Sequence, residues 1–276
     1  MSSFGTRLTE VFATTGHLCV GIDPHPYLLA EWGLGDDAAG LREFGLRVVD
    51  AAAGRVGIIK PQVAFFERHG AAGYAALEET IAAGRAAGLL VIADAKRGDV
   101  GSTVEAYGQS WLTPGSPLEA DAMTISAFQG LGTISAPHEL ALAHGKGLFV
   151  LAATSNPESF SVQGARLGSG ETVSASLLAG VDEWNSAETG LGSTGVVIGA
   201  TVDFEEFGIH SSPLSRTPIL APGLGHQGAS FSDVRAIYGA AADNVIVSAS
   251  RSILSAGPTG VADAIAAQAA EVKEAL

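Results

Sequence analysis

The chain has 276 residues, of which 47% are hydrophobic, only 16% are charged and 36 are Gly, with a formal net charge of −14. That length can bury a large core, and the acidic balance excludes the broad basic face of a nucleic-acid binder. No apolar stretch reaches the length of a membrane span, no basic-then-apolar leader opens the chain, and the lone Cys19 excludes an internal disulfide, so we expect a soluble, cytoplasmic protein.

Short apolar runs recur along the chain, each followed by loop and helix signals. After a first helix near 6–14, they predict strands at 18–22, 56–60, 89–94, 122–126, 148–153, 195–199, 218–221 and 244–248. The runs are apolar nearly throughout, as strands covered on both faces require. Between them, apolar residues three and four apart predict helices at 41–53, 74–87, 173–187 and 232–241, with a last one from 260 to about 275. Strands alternating with helices at this count predict an α/β fold, a (β/α)8 TIM barrel forming a single domain over 1–276. An open doubly wound sheet shares the alternation, but no break in composition divides the chain. Two stretches, 155–172 and 204–216, exceed what a minimal barrel needs and read as loop insertions.

In such a barrel the site forms at the carboxyl ends of the strands. The predicted strands place there Asp23-Pro24-His25-Pro26, Lys60-Pro61-Gln62, Thr154-Ser155-Asn156-Pro157 and Ser248-Ala249-Ser250-Arg251-Ser252. The third strand ends in Asp94-Ala95-Lys96-Arg97-Gly98-Asp99. Residues two apart in a strand share a side, so Asp94 and Lys96 face together, while Asp99 opens the next helix. Opposite charges gathered at a partly buried rim are costly unless they pair or act. The plain alternative is a solvated turn with a surface ion pair. Lys60 closes an apolar strand facing the same mouth. Lys96, flanked by carboxylates, suits a proton donor rather than a Schiff-base amine.

The run Pro222-Gly223-Leu224-Gly225-His226-Gln227-Gly228 contains G-x-G-x-x-G, and Asp243 follows Gly223 by twenty residues. Read literally this is a dinucleotide fingerprint. Asp243 falls, however, at the amino end of the following strand, whereas ribose is met at a carboxyl end, and too little chain remains for a dinucleotide domain. A phosphate cradle fits better, because loops after strands seven and eight hold phosphate in such barrels and Arg251 can fork onto two oxygens. The seven His are scattered without metal-ligand spacing, and no G-x-S-x-G elbow occurs.

Lys60 with Asp94-x-Lys96-x-x-Asp99 resembles the charged tetrad of the orotidine 5′-phosphate decarboxylase family. Gly21-Ile22-Asp23-Pro24 is similar to that family's first strand, whose Asp meets the ribose. Thr154-Ser155-Asn156-Pro157 is similar to its pyrimidine-contacting segment. Pro222-Gly223-Leu224-Gly225 with Gln227, then Ser250-Arg251-Ser252, is similar to its phosphate loops. The Asp-Ala-Lys-Arg-Gly-Asp form and the two long connections suit the longer bacterial branch. His226 and Ser250 depart from the pattern, standing where a small residue and a Gly are common.

The resemblance implies decarboxylation of orotidine 5′-monophosphate to uridine 5′-monophosphate without metal or organic cofactor, the last step of de novo pyrimidine nucleotide synthesis. It implies Asp94 beside the substrate carboxylate, Lys96 stabilising and protonating the carbanion at C6, and Lys60 holding Asp94 and the ribose. Asp99 and Thr103 would complete the neighbouring site of a homodimer. Further substrate contacts would come from Asp23, Ser155, Pro222, Gly225, Ser250 and Arg251, with Gln227 on a lid over the phosphate. Two other readings stay open on the residues alone. One is a metal-dependent sugar-phosphate decarboxylase or aldolase with a similar D-x-K-x-x-D, which wants an additional carboxylate for Mg²⁺. The other is a noncatalytic binder of phosphate metabolites, which leaves Lys60 and Lys96 unexplained.

Overall fold

The computed structural model describes residues 2–210, 214–225 and 228–276. Among them, parallel strands close into a barrel in sequence order: β1 (Leu18–Ile22), β2 (Ile58–Pro61), β3 (Leu90–Arg97), β4 (Ala122–Ile125), β5 (Gly147–Ala153), β6 (Thr194–Ile198), β7 (Ile219–Pro222) and β8 (Val245–Ala249). Closure is made by β8 pairing back onto β1, with Val247 beside Leu18. Helix α1 (Phe4–Thr15) precedes β1, and α2 (Pro26–Glu31) and α3 (Ala38–Ala52) follow it. Next come α4 (Val63–Glu67) and α5 (Gly70–Ala86) after β2, α6 (Gly101–Leu112) after β3, and α7 (Ser135–Ala143) after β4. The connection after β5 holds α8 (Phe160–Gln163) and α9 (Val173–Asn185), that after β7 holds α10 (Val234–Tyr238), and β8 leads into α11 (Arg251–Leu254) and α12 (Gly257–Ala275). The barrel therefore replaces the open sheet as the way this alternation is satisfied.

Alternate strand residues feed two cores. Those facing inward, such as Cys19, Ile58, Ile92, Phe149 and Ile246, pack with Phe4 and Leu8 of α1, which plug the amino-terminal end. The others form a continuous layer between strands and helices. Phe4 meets Phe149 edge to face at 5.9 Å, and a Cβ on Gly147 would come within 2.6 Å of the Phe4 ring, so a glycine keeps that seat open. Ion pairs hold the same end: Arg7 to Asp121 at 2.6 Å and Lys146 to Glu119 at 2.8 Å. The plug leaves the carboxyl-terminal end as the mouth.

Three expectations change. Strand β3 runs on to Arg97 instead of stopping at 94, because its pairing with β4 resumes after an irregularity. The helix expected over 232–241 is broken into a 3-10 turn at Phe231–Asp233, α10, and a second 3-10 turn at Gly239–Asn244; Gly239, with φ 55°, ends α10. The stretch 155–172 is not plain loop, since it carries a 3-10 turn at Pro157–Ser159, α8 and an antiparallel bridge from Arg166 to Thr172. The other insertion, 204–216, includes three residues outside those described. No described helix is long and apolar enough to cross a membrane.

Candidate active site

A cavity of about 300 Å³ opens at the mouth of the barrel. Asp23, Lys60, Asp94, Lys96 and Arg251 bring charge to it, and Leu151, Val197 and Leu220 from β5, β6 and β7 form an apolar side. A larger groove, about 920 Å³, lies at the opposite end around His17, Glu188 and Asn244, but no buried ion pair among the described residues joins its walls. The smaller cavity is the one with chemistry built into it.

Asp94 stands at its centre. Its Oδ2 accepts hydrogen bonds from Lys60 Nζ at 2.9 Å and Gln62 Nε2 at 3.0 Å. Its Oδ1 accepts from Lys96 Nζ at 2.5 Å and Thr124 Oγ1 at 2.9 Å. Two cations and two neutral donors thus hold one carboxylate, the condition under which a buried charge is tolerated. Burial works against the Asp94 carboxylate, yet the Lys60 and Lys96 ammonium groups outweigh it and hold the group well below the usual carboxylate range. Burial likewise works against the Lys60 ammonium, and Asp94 and Asp23 outweigh it, so Lys60 sits above the ordinary lysine value. The two lysines differ in reach. The Lys60 side chain is 7% exposed and serves as a clamp beneath Asp94, whereas that of Lys96 is 44% exposed and extends into the open cavity.

Around this cluster the mouth presents groups suited to a polar, anionic ligand. Asp23 Oδ1 and Ser250 Oγ are buried without a hydrogen-bond partner among the described residues. A Cβ on Gly21 would lie 2.7 Å from Ser250 Cβ, so only glycine lets β1 approach the end of β8 this closely. Arg251 lines the cavity at the start of α11, and its guanidinium has no protein partner among the described residues. Gly223 and Leu224 line the same side, and Leu224 bridges to Ala229 to close the glycine loop.

Of the residues expected at the site, Asp23, Lys60, Asp94, Lys96, Ser155, Pro222, Ser250 and Arg251 line this one cavity. Asp99, Thr103 and Gly225 do not. Asp99 lies past the rim, where its Oδ1 accepts from Val100 N at 2.8 Å, and Thr103 is exposed on α6. The N–H of Gly225 donates to Ala229 O at 2.8 Å, so this glycine shapes the loop and its amide does not face a ligand. Gln227 and His226 lie outside the described residues. Sequence reasoning placed Gln62 at the mouth without a role and missed Thr124. Gln62 had a signal, since it stands two residues after Lys60 and so on the same side of a strand. Thr124, a single hydroxyl within an apolar run, had none.

The chain matches the sequence model of the orotidine 5′-phosphate decarboxylase / HUMPS family over residues 16–265. It is 50% identical over 262 residues to the orotidine 5′-phosphate decarboxylase of Salinispora tropica, an alignment covering 95% of this chain and 93% of that one. With the enzyme of the same name from Streptomyces coelicolor it shares 48% identity over 279 residues, covering 100% and 99%. Among solved structures, one from Streptomyces avermitilis, provisionally assigned as an orotidine 5′-phosphate decarboxylase, superposes with a TM-score of 0.95 at 46% identity and covers 100% and 96% of the two chains. The OMP decarboxylase of Leishmania donovani superposes with a TM-score of 0.72 at 28% identity over 99% of each chain.

Proposed function

The chain belongs to the orotidine 5′-phosphate decarboxylase / HUMPS family, and we propose that it converts orotidine 5′-monophosphate to uridine 5′-monophosphate with its own side chains supplying all the chemistry. By kinship it is a carboxy-lyase of pyrimidine biosynthesis. The observation that carries the mechanism is the gripped carboxylate: Asp94 clamped from below by Lys60, with Lys96 Nζ reaching past it into the cavity.

The substrate carboxylate lies beside Asp94, and its pyrimidine rests against the apolar side near Ser155. The bond from C6 to the carboxylate breaks, carbon dioxide leaves, and the electron pair stays on C6. The Lys96 ammonium stabilises that carbanion and then gives it a proton; solvent returns the proton to Lys96. A unit charge about 4 Å from the carbanion is worth about 4 kcal/mol at an effective dielectric near 20, or roughly a thousandfold in rate. The partnerless Asp23 Oδ1 suits a ribose hydroxyl, and Arg251 with the backbone around Pro222 and Gly223 suits the phosphate, whose binding offsets the cost of holding the reacting carboxylate near Asp94. No metal or organic cofactor takes part in this scheme.

The active unit is a homodimer in which Asp99 and Thr103 complete the partner's site. Support comes from their position outside their own cavity and from the rim around them. Gly98 packs against Ser126, and two residues beyond each of these stand the exposed apolar Val100 and Phe128, the latter 80% exposed.

The test is to follow the loss of orotidylate absorbance with purified protein in excess EDTA. Wild-type protein turns over under these conditions, while Lys96→Ala still binds the nucleotide and loses at least about a thousandfold in kcat. Wild-type activity abolished by the chelator would overturn the cofactor-free scheme, and near-normal turnover by Lys96→Ala would remove the assigned acid.

A further inference from the structure

The pairing of β3 with β4 is irregular at one place only a few residues long. Ala93 stands opposite Met123 and Arg97 opposite Ile125, so Asp94, Ala95 and Lys96 share the space facing the single residue Thr124. Such a bulge deprives backbone groups of their ladder partners and re-aims side chains. Here the Lys96 N–H donates not to a backbone carbonyl but to Thr124 Oγ1, at 2.9 Å. The same hydroxyl lies 2.9 Å from Asp94 Oδ1. An amide can only donate and an ionised carboxylate can only accept, so the single hydroxyl hydrogen of Thr124 must point to Asp94.

Two further facts sharpen this arrangement. Lys96 has φ 47°, the left-handed region, and no other non-glycine residue among those described has a positive φ. A residue with a side chain stays in that region only where its surroundings over-determine it. Thr124 is completely buried, so water does not stand ready to replace its hydroxyl. One oxygen atom therefore ties the unusual backbone of Lys96 to the carboxylate that receives the Lys96 ammonium.

We infer that Thr124 is a positioning residue for the reaction, its hydroxyl holding the Lys96 backbone and Asp94 Oδ1 in one fixed relation so that the ammonium is aimed at the reacting carbon. This inference rests on the role proposed above for Lys96. Thr124 itself does not line the cavity.

Three substitutions separate aiming from packing. Thr124→Val keeps the shape and removes the hydroxyl; Thr124→Ala removes hydroxyl and methyl; Thr124→Ser keeps the hydroxyl alone. Positioning sorts kcat by the hydroxyl: Val and Ala each lose about a hundredfold, the scale of a misplacement of about 1 Å, with KM little changed, and Ser restores most of the loss. Packing sorts it by volume, with Val nearest to wild type and Ala worst. Values of kcat for Val and Ala close to wild type, or a Ser variant as slow as Ala, overturn the inference. If Thr124→Val does not fold, the comparison of Ser with Ala still decides it. Failure of the wild-type protein to decarboxylate orotidine 5′-monophosphate would instead defeat the functional reading, and the inference with it.

Discussion

A buried carboxylate between two ammonium groups holds a fixed geometry only when its remaining lone pairs are also used, and at Asp94 the neutral donors Gln62 and Thr124 do this. They decide where the charge sits, while Lys60 and Lys96 decide that it exists. The Asp94–Lys60 pair is insulated from moderate pH, with Asp94 below the carboxylate range and Lys60 above the lysine value. Histidines respond instead. Burial lowers His17, His25 and His138. His138 stacks on Trp184 at 4.2 Å, with Nδ1 3.0 Å from Thr194 Oγ1. A base lowered by folding takes up its proton more readily in the unfolded chain. Its stabilisation is therefore whole above the ordinary histidine value, about 6.5, and is lost as pH falls below it. Melting curves at about pH 7.5 and about pH 5.5 should give a lower Tm at the acid end. His138→Gln should narrow that gap without closing it, since His17 and His25 remain. An unchanged gap would remove His138 from this explanation.

Among the elements, α1 has the least to do with the site and the most to do with closing the barrel. Its Phe4 and Leu8 complete the inner core, and its Arg7 pairs with Asp121, whose other oxygen accepts the N–H of Val91 at 3.0 Å. Phe4→Ala should cost about 3–5 kcal/mol in urea unfolding, as expected for a fully buried aromatic ring. Its kcat should stay near wild type wherever the protein is folded, because the cavity lies at the other end. A cost below about 1 kcal/mol would mean that the plug is dispensable. The elements that escaped sequence reading are mostly brief. Helices α4, α8 and α11 have five, four and four residues, too short to show a period. The missed part of β3 carries charges where an apolar run was the signal.

For the whole molecule, the proposed shared-site homodimer makes a prediction that a self-sufficient monomer does not. Lys96→Ala and Asp99→Ala chains should each be inactive as pure dimers. Mixed and allowed to exchange at random, half of the dimers would be hybrids with one intact site, giving about a quarter of the wild-type rate. No recovery after proven subunit exchange would refute the sharing. The exposed rim can be tested beside it, because Val100 or Phe128 replaced by a charged residue should weaken dimerisation and activity together.

Chain order alone was enough for the alternation that closes the barrel, because strands covered on both faces must be continuously apolar and turns must interrupt them. It was also enough to bring Asp94 and Lys96 to one rim, although a bulge and the left-handed φ of Lys96, rather than an unbroken period of two, aim the two side chains together. It could not place Thr124 against Lys96, twenty-eight positions away in sequence. Which residue of β4 faces which residue of β3 depends on the stagger that all the strands must satisfy together for the barrel to close. The bulge that frees the Lys96 amide exists only within that closed pairing, so the hydroxyl that receives it was decided by tertiary structure.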